Sequence, residues 1–326
     1  MLQQTYRRAR MFLPPQRILI ATHQSERAHV RETLPGVADR QLLVEPAHIG
    51  TAGAIGFGLA TILSRDPDAT VVTLNADAFL QHEDRFVRAI RSANEALKTY
   101  PDTLCIVGVK PTEPETGYGY IMAGQRLPSV NTFPFFAIRR FIEKPDVAQA
   151  RRLLATHRAF WNTTTIVARA EHFFHLYATH LPKTFRILER VRSRLGTRGG
   201  IRAATALLRG MTPISIDYGI LQKEKRLMLV VLPDAGWVDI GHWRAIRSIV
   251  APQKSRAHAL TSPHIGIDSH DNLVVSTTKR LIATIGVKNL VIIQTPDATL
   301  VCDVARAHDV KRLVATLQER GLHRYL

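Results

Sequence analysis

Between Arg17 and Pro111, short apolar runs alternate with helical segments, and no other feature of the chain constrains its fold as much. RILIAT (17–22), QLLVEP (41–46), TVVTLNAD (70–77) and LCIVGVKP (104–111) have the length of buried strands, and two of them stop at a proline. Residues 25–34, the small-residue run GTAGAIGFGLATIL (50–63) and the amphipathic stretch 86–97 fill the gaps with helical spacing. A helix made of such small residues can lie very close to a sheet. An alternation this tight predicts an α/β fold with a mixed, mostly parallel sheet.

The middle of the chain reads differently. GYGYIMAG and FFAIRRFIEKP look like strands carrying an inserted substrate lobe, followed by a helix over 147–155, a strand at FWNTTTIVAR (160–169) and helical segments from 170 to 208. ISIDYGILQK leads from a loop into a helix, LMLVVLP is a strand, and GWVDIGHWRAI opens another helix. Residues 251–264 are polar and flanked by prolines, as a linker would be. Beyond them NLVVS, RLIATIG, NLVIIQT and ATLVCDV recur with turn residues between, a pattern suited to a small β-solenoid. An amphipathic helix over 309–322 closes the chain, with Val310, Leu313, Val314 and Leu317 on one face. The expected division is residues 1–250, a linker at 251–264 and a small domain at 265–326.

At 326 residues, 45% hydrophobic and 22% charged, the chain is long enough for a full core plus an appendage, with nothing to suggest disorder. The longest apolar runs fall far short of a membrane span, and Met1-Leu-Gln-Gln-Thr-Tyr-Arg-Arg lacks the apolar stretch of a secretory signal, so a cytoplasmic protein without membrane attachment is expected. Cys105 and Cys302 each sit inside an apolar run and read as buried thiols. The formal charge of +17 raises nucleic acid as a partner, but the arginines are scattered and form no basic tail, zinc spacing or aromatic-basic motif. A positive surface equally suits anionic small molecules, so nucleic acid is not expected.

Two aspartates carry the strongest chemical signal. Asp77 closes the apolar run VVTLNAD, and Asp239 sits in GWVDIGHW. A carboxylate just past a buried strand lies where open α/β sheets place their ligands. Two such groups can hold one Mg²⁺, which neutralises phosphate oxygens and orients a phosphoryl centre for in-line attack. A loop residue or a helix N-cap is the plainer explanation of either one alone.

LLVEPAHIGTAGAI, TLNAD, PETGYGYI with FIEKP, FWNTTT, and ISIDYGILQK with GWVDIGHW occur in the order found in sugar-1-phosphate nucleotidyltransferases. They resemble most the mannose-1-phosphate guanylyltransferases, and the resemblance covers nearly the whole chain. It implies a Rossmann-like nucleotidyltransferase domain followed by a short left-handed β-helix, and transfer of GMP from GTP to mannose 1-phosphate, giving GDP-mannose and pyrophosphate. Asp77 and Asp239 then resemble the family's Mg²⁺ ligands, and Lys144 the lysine that meets the sugar phosphate. Glu143 and Asn162 resemble residues that hydrogen-bond sugar hydroxyls, Gly117 and Gly119 would let backbone approach the sugar, and Asp217 with Tyr218 would line the same pocket. Glu45, Thr51 and Ala52 match a loop and helix start near the nucleotide, where N–H groups favour phosphate. The β-helix often supplies a subunit contact in the family; a homodimer is one expected assembly, and the oligomeric state stays open.

The sequence also departs from the family's pattern. Relatives carry a strand, a glycine-rich phosphate loop with its arginine, and a Pro-Lys ahead of the helix in which this sequence begins, at MLQQTYRRA. Without that strand RILIAT is expected to face a gap with unpaired backbone groups. Either the polypeptide has an upstream segment, or this is a shortened noncatalytic paralogue that binds sugar nucleotide as a regulatory subunit. HIGTAGAI replaces a polar Arg-Asn-Thr run, NADAF lacks the histidine that usually follows the aspartate, and WNTTT lacks the usual Ser-Gly.

Overall fold

A computed structural model describes residues 1–325 except 196, 198, 242, 244, 245, 247, 248, 250–257 and 260–262. Most of the expected linker, and most of the helix expected from GWVDIGHWRAI, therefore lie outside the described residues. The chain forms two compact units, Met1–Trp237 and Val238–Leu326.

The first unit runs through α1 (Leu2–Arg10), β1 (Ile20–His23), α2 (Arg27–Thr33), β2 (Leu42–Glu45), α3 (Gly50–Leu63), β3 (Thr70–Val72), β4 (Ala78–Phe79) and α4 (Glu83–Thr99). It continues with β5 (Leu104–Val109), β6 (Tyr120–Val130), β7 (Phe133–Ile142), α5 (Val147–Ala155), β8 (Ala159–Arg169), α6 (Ala170–His180), α7 (Pro182–Leu195), α8 (Gly200–Leu208) and β9 (Leu227–Leu232). A six-stranded sheet in the order β3-β8-β5-β9-β7-β6 forms its centre. The sheet is mixed: β3, β5, β6 and β9 run one way, and β7 and β8 run against them. Every residue of β5 is buried. Its residues divide between two apolar layers, with Leu104 and Ile106 on the α3, α6 and α7 side and Cys105, Val107 and Val109 on the α4 side. A strand covered on both faces reads as a continuous apolar run, as LCIVGV does.

Two sequence expectations change in detail. The segments read as an inserted lobe form a β6–β7 hairpin that belongs to the main sheet, because Phe135, 1% exposed, pairs with Val230 of β9 and continues the core. The small residues of α3 admit neighbouring helices more closely than the sheet. A Cβ on Gly56 would come within 2.5 Å of Leu188 in α7, whereas one on Gly58 would stand 3.8 Å from Leu43 in β2.

Among the described residues β1 and β2 form a parallel pair of their own, and β3 pairs with β8 alone. Between β1 and β3 lies a cleft of about 1590 Å³ whose walls include Ile18, Ile20, Leu43, Val71 and Ile90. The antiparallel ladder directs alternate residues of β3 to opposite sides. Ala69 and Thr73 bond to β8, so the N–H and C=O groups of Thr70 and Val72 face the cleft. The gap expected beside RILIAT is therefore present in the structure.

In the second unit β10 is Val238–Asp239, β11 His258–Ala259, β12 His264–Ile267, β13 Leu273–Ser276, β14 Ile282–Ile285, β15 Leu290–Gln294 and β16 Thr299–Asp303, followed by α9 (Val310–Glu319). β12 pairs with β14, and β13 with β15, in parallel and with the same 18-residue offset, which makes this unit a β-helix. Asp268, Asp271 and Asn289 turn its corners with positive φ. β16 departs from the solenoid pattern expected of ATLVCDV by running antiparallel to β15. α9 forms as expected, but Leu313 and Val314 stay 47% and 39% exposed rather than joining the Leu273–Val291 core of this unit.

One contact anchors the loop that leads to Asp217. Gly50 has φ +70°, and a Cβ there would lie 2.4 Å from the backbone oxygen of Ile214. Gly50→Ala is expected to destabilise the protein by at least about 2 kcal/mol, from left-handed strain plus overpacking against rigid backbone. Urea unfolding checks it; an unchanged midpoint would show that this loop is not seated on α3.

Candidate active site

Strand β8 positions the centre of the site. Its register against β5 jumps between Ile106↔Ile166 and Gly108↔Asn162, so residues 163–165 bulge opposite Val107 alone. Thr163 Oγ1 donates to Val107 O at 2.7 Å, restoring one bond that the bulge removes. Thr164 holds φ +54°, a genuine outlier for a β-branched residue. Its N–H donates to Asn162 Oδ1 at 2.9 Å, and its carbonyl accepts from Thr73 Oγ1 at 2.7 Å. Thr73 Oγ1 in turn accepts from Ile166 N at 2.9 Å. One hydroxyl thus ties the β3 end to the bulge.

Asn162 is buried, and its Nδ2 donates to Asp217 Oδ1 at 2.9 Å. Asp217 opens a π-helical turn, Asp217–Leu221, and is itself buried. Glu143 follows the end of β7. A Cβ on Gly119 would stand 2.6 Å from Glu143 Oε2 and 3.4 Å from Asn162 Cβ, so this glycine leaves the room that brings the two side chains together. Lys144, at φ +45°, places Nζ 3.5 Å from Glu143 Oε1 while its side chain remains 57% exposed. The fold thus gathers Gly119, Glu143, Lys144, Asn162 and Asp217 in one pocket. Tyr118, Trp161 and Trp237 flank it as an aromatic cluster, with Tyr118 ring centroids 5.2 and 5.4 Å from the other two.

The electrostatics follow from two buried carboxyl groups facing each other. Burial, and then the charge of Asp217, push the Glu143 carboxyl up to about 7, against the pull of Lys144. Burial also raises Asp217, opposed by Lys144 and by the Asn162 hydrogen bond. Near neutral pH the pair therefore offers a site both a hydrogen-bond donor and acceptors, together with an exposed ammonium.

The remaining sequence-predicted residues lie around this centre. Gly117 is exposed, its N–H donating to Glu115 Oε1 at 2.8 Å, and Tyr218 is 45% exposed. Glu45 ends β2 largely buried, and burial raises its pKa. Thr51 Oγ1 accepts from Ile216 N at 2.9 Å, while the N–H of Ala52 donates to Ile214 O at 3.1 Å. Tyr177 completes this brace by donating to Ala52 O at 2.7 Å. Thr51 and Ala52 therefore hold the loop that delivers Asp217, and the Ala52 N–H is already engaged. Asp77 follows β3 in an exposed turn, at the edge where β3, β5 and β9 end. In the second unit Asp239 Oδ1 accepts from Gly241 N at 2.8 Å. An exposed carboxylate such as Asp77 is a hard oxygen donor of the kind Mg²⁺ takes while keeping most of its waters.

Thr5, Arg8, Thr73 and Thr164 escaped the sequence reading. The run of three β-branched residues in WNTTT, where a glycine is usual, was the one available signal for the bulge. Thr164→Gly is expected to stabilise the fold by about 0.5–1 kcal/mol, relief of left-handed strain exceeding the entropy a glycine adds to the unfolded chain. A lower urea midpoint would show that the Thr164 side chain holds the turn. The raised Glu143 pKa has a signed consequence as well. Its folded value lies above the ordinary 4.5, so its contribution is complete below about 4.5 and is lost as pH climbs through about 7. Wild-type stability should therefore fall across that window more steeply than that of Glu143→Gln; parallel denaturation curves would show that no proton is held there.

Comparisons with known proteins agree with the fold of the two units. A nucleotidyl transferase family model matches residues 1–255, and a mannose-phosphate isomerase/GMP-like β-helix domain model matches residues 262–317. The mannose-1-phosphate guanylyltransferase of Klebsiella pneumoniae is 31% identical over 87% of this chain and 59% of its own length. The enzyme of that name from Salmonella muenchen is 31% identical over 98% of the chain and 66% of its own length, and the chain thus spans about three fifths to two thirds of these relatives. A crystal structure from Thermus thermophilus described as a mannose-1-phosphate geranyltransferase superposes with a TM-score of 0.84 at 28% identity, over 97% of this chain and 89% of that one.

Proposed function

Because this chain belongs to the nucleotidyl transferase family, we propose that it is an enzyme that transfers GMP from GTP to mannose 1-phosphate, giving GDP-mannose and pyrophosphate. The observation that carries the reading is the gathering of Glu143, Lys144, Asn162 and Asp217 around Gly119. The names of the relatives supply the choice of mannose and guanine.

The pocket suits a polyol phosphate. Asn162, Asp217 and a half-protonated Glu143 present fixed donors and acceptors to sugar hydroxyls, and the wrong epimer would leave buried groups unpaired. Lys144 Nζ, exposed beside Glu143, meets the sugar phosphate and cancels charge as two anions approach. Gly117 and Tyr218 line the rim, and Glu45, Thr51 and Ala52 stand on the nucleotide side. A phosphate oxygen of mannose 1-phosphate attacks the α-phosphorus in line, forming a P–O bond as the bond to pyrophosphate breaks. The side chains act by positioning and charge neutralisation. Asp77 and Asp239 would each serve as a Mg²⁺ ligand, and the ion would supply neutralisation of the phosphate oxygens when bound.

Residues 1–250 would form the catalytic domain and 265–326 the appended β-helix, with 251–264 as linker. We propose a cytoplasmic location without nucleic-acid or membrane partners, with a homodimer as one expected assembly and the oligomeric state open. Among the described residues no helix is long and apolar enough to cross a membrane.

The test is pyrophosphate release from GTP and mannose 1-phosphate with Mg²⁺, paired with thermal-shift binding of GDP-mannose. Asp77→Asn is expected to lower turnover about 100-fold or more while leaving the melting temperature unchanged. The reading is overturned if wild type neither releases pyrophosphate nor is stabilised by GDP-mannose.

A further inference from the structure

We propose that Thr5 and Arg8 of α1 are positioning residues that fix where the Asp77 carboxylate stands. The inference deepens the metal role proposed for Asp77 and rests on it. Asp77 is exposed, and among the described residues its side chain makes no hydrogen bond or ion pair. With no contact of its own, that carboxylate goes where the backbone of residues 75–78 carries it.

α1 holds this backbone from one side. Thr5 Oγ1 lies 3.3 Å from Ala76 O and 3.5 Å from Asn75 O, so its single proton is shared between two carbonyls. Arg8 Nη1 donates to Ala78 O at 3.3 Å and lies 3.5 Å from Thr5 Oγ1. Residues three apart on a helix stand over one another, so a single turn of α1 grips the chain on both sides of Asp77. Arg8 is only 1% exposed. Its Nη2 lies 3.3 Å from Glu83 Oε1, and its guanidinium carbon sits 5.8 Å from the centre of the Phe86 ring. Glu83 and Phe86 both belong to the first turn of α4. One buried guanidinium therefore joins α1, the Asp77 turn and α4.

A fully buried arginine needs partners for its charge, and stability alone would be served as well by an apolar side chain packed there. A planar fork that reaches a carbonyl and a carboxylate at once also sets geometry. Mg²⁺ demands near-octahedral ligands, so a displaced turn would cost affinity even with the carboxylate intact.

The experiment compares wild type, Thr5→Val, Thr5→Ser and Arg8→Lys by two readouts. Amide hydrogen exchange of residues 75–82 is expected to quicken about tenfold in Thr5→Val and Arg8→Lys, to stay near wild type in Thr5→Ser, and to be unchanged in β5 throughout. Calorimetric titration with Mg²⁺ alone is expected to show about tenfold weaker binding in the same two variants, with Thr5→Ser restoring it. Unchanged exchange at 75–82 in both variants overturns the proposal. Faster exchange with Mg²⁺ affinity intact also overturns it, reducing the contacts to a structural tie. If wild type takes up no Mg²⁺ while exchange responds as expected, the metal role falls and the grip of α1 on the turn stands.

Discussion

Strand β8 must pair with β3, β5 and β6 and still present Asn162 to a pocket, and the bulge at residues 163–165 satisfies both demands. A regular strand through this region would keep every ladder bond and turn Asn162 by the period of the pleat alone. Thr163 and Thr73 supply from hydroxyls what the ladder loses, at Val107 O, Thr164 O and Ile166 N. The left-handed Thr164 is the residual strain, and strain of this kind persists where the surroundings over-determine it. The pocket geometry is therefore a property of the sheet, and the loops are seated onto it.

From that fixed point the chemistry follows by burial. Asn162 restrains Asp217, Gly119 admits Glu143, and two carboxyl groups share a region that water reaches poorly. The chain carries +17 overall, yet its pocket is acidic at the centre and basic at the rim. In the proposed reaction, long-range charge would attract anions while the buried carboxyls would read hydroxyls; the two tasks need opposite signs, which the length of one lysine would keep apart.

Much of this was legible in the sequence because it rests on period and punctuation. The strands RILIAT, QLLVEP and LCIVGV, the small helix at 50–63 and the β-helix all follow from short apolar runs with clear stops. The order of five motifs pointed to Glu143, Lys144 and Asn162, which the fold brings together with Asp217. What escaped was tertiary bookkeeping. Nothing local marks Ile214 as the acceptor for the Ala52 N–H, so a helix start that looks open in sequence is in fact partly satisfied. Nor does the pattern of FFAIRRFI reveal that its hairpin continues the main sheet, because alternation specifies a face and not a neighbour. Arg8 reads as one of a basic pair with Arg7, and only the fold separates the buried guanidinium from the exposed one.

The cleft between β1 and β3 shows how the chain tolerates two open sheet edges. At about 1590 Å³ it exceeds the roughly 300–1,000 Å³ of small-molecule pockets, and its walls are largely aliphatic. Unpaired backbone groups in such a place are costly, so side chains take over where they can reach. Gln41 Nε2 donates to Pro15 O and Ile18 O ahead of β1, and Thr5 serves Asn75 O and Ala76 O beyond β3. The two ends of the cleft are thereby held by polar contacts, while the middle, where Thr70 and Val72 face outward, depends on water or on another strand. Side-chain contacts from α1 gather where β3 passes into the Asp77 turn, and that is the stretch of its wall on which the proposed chemistry makes a geometric demand.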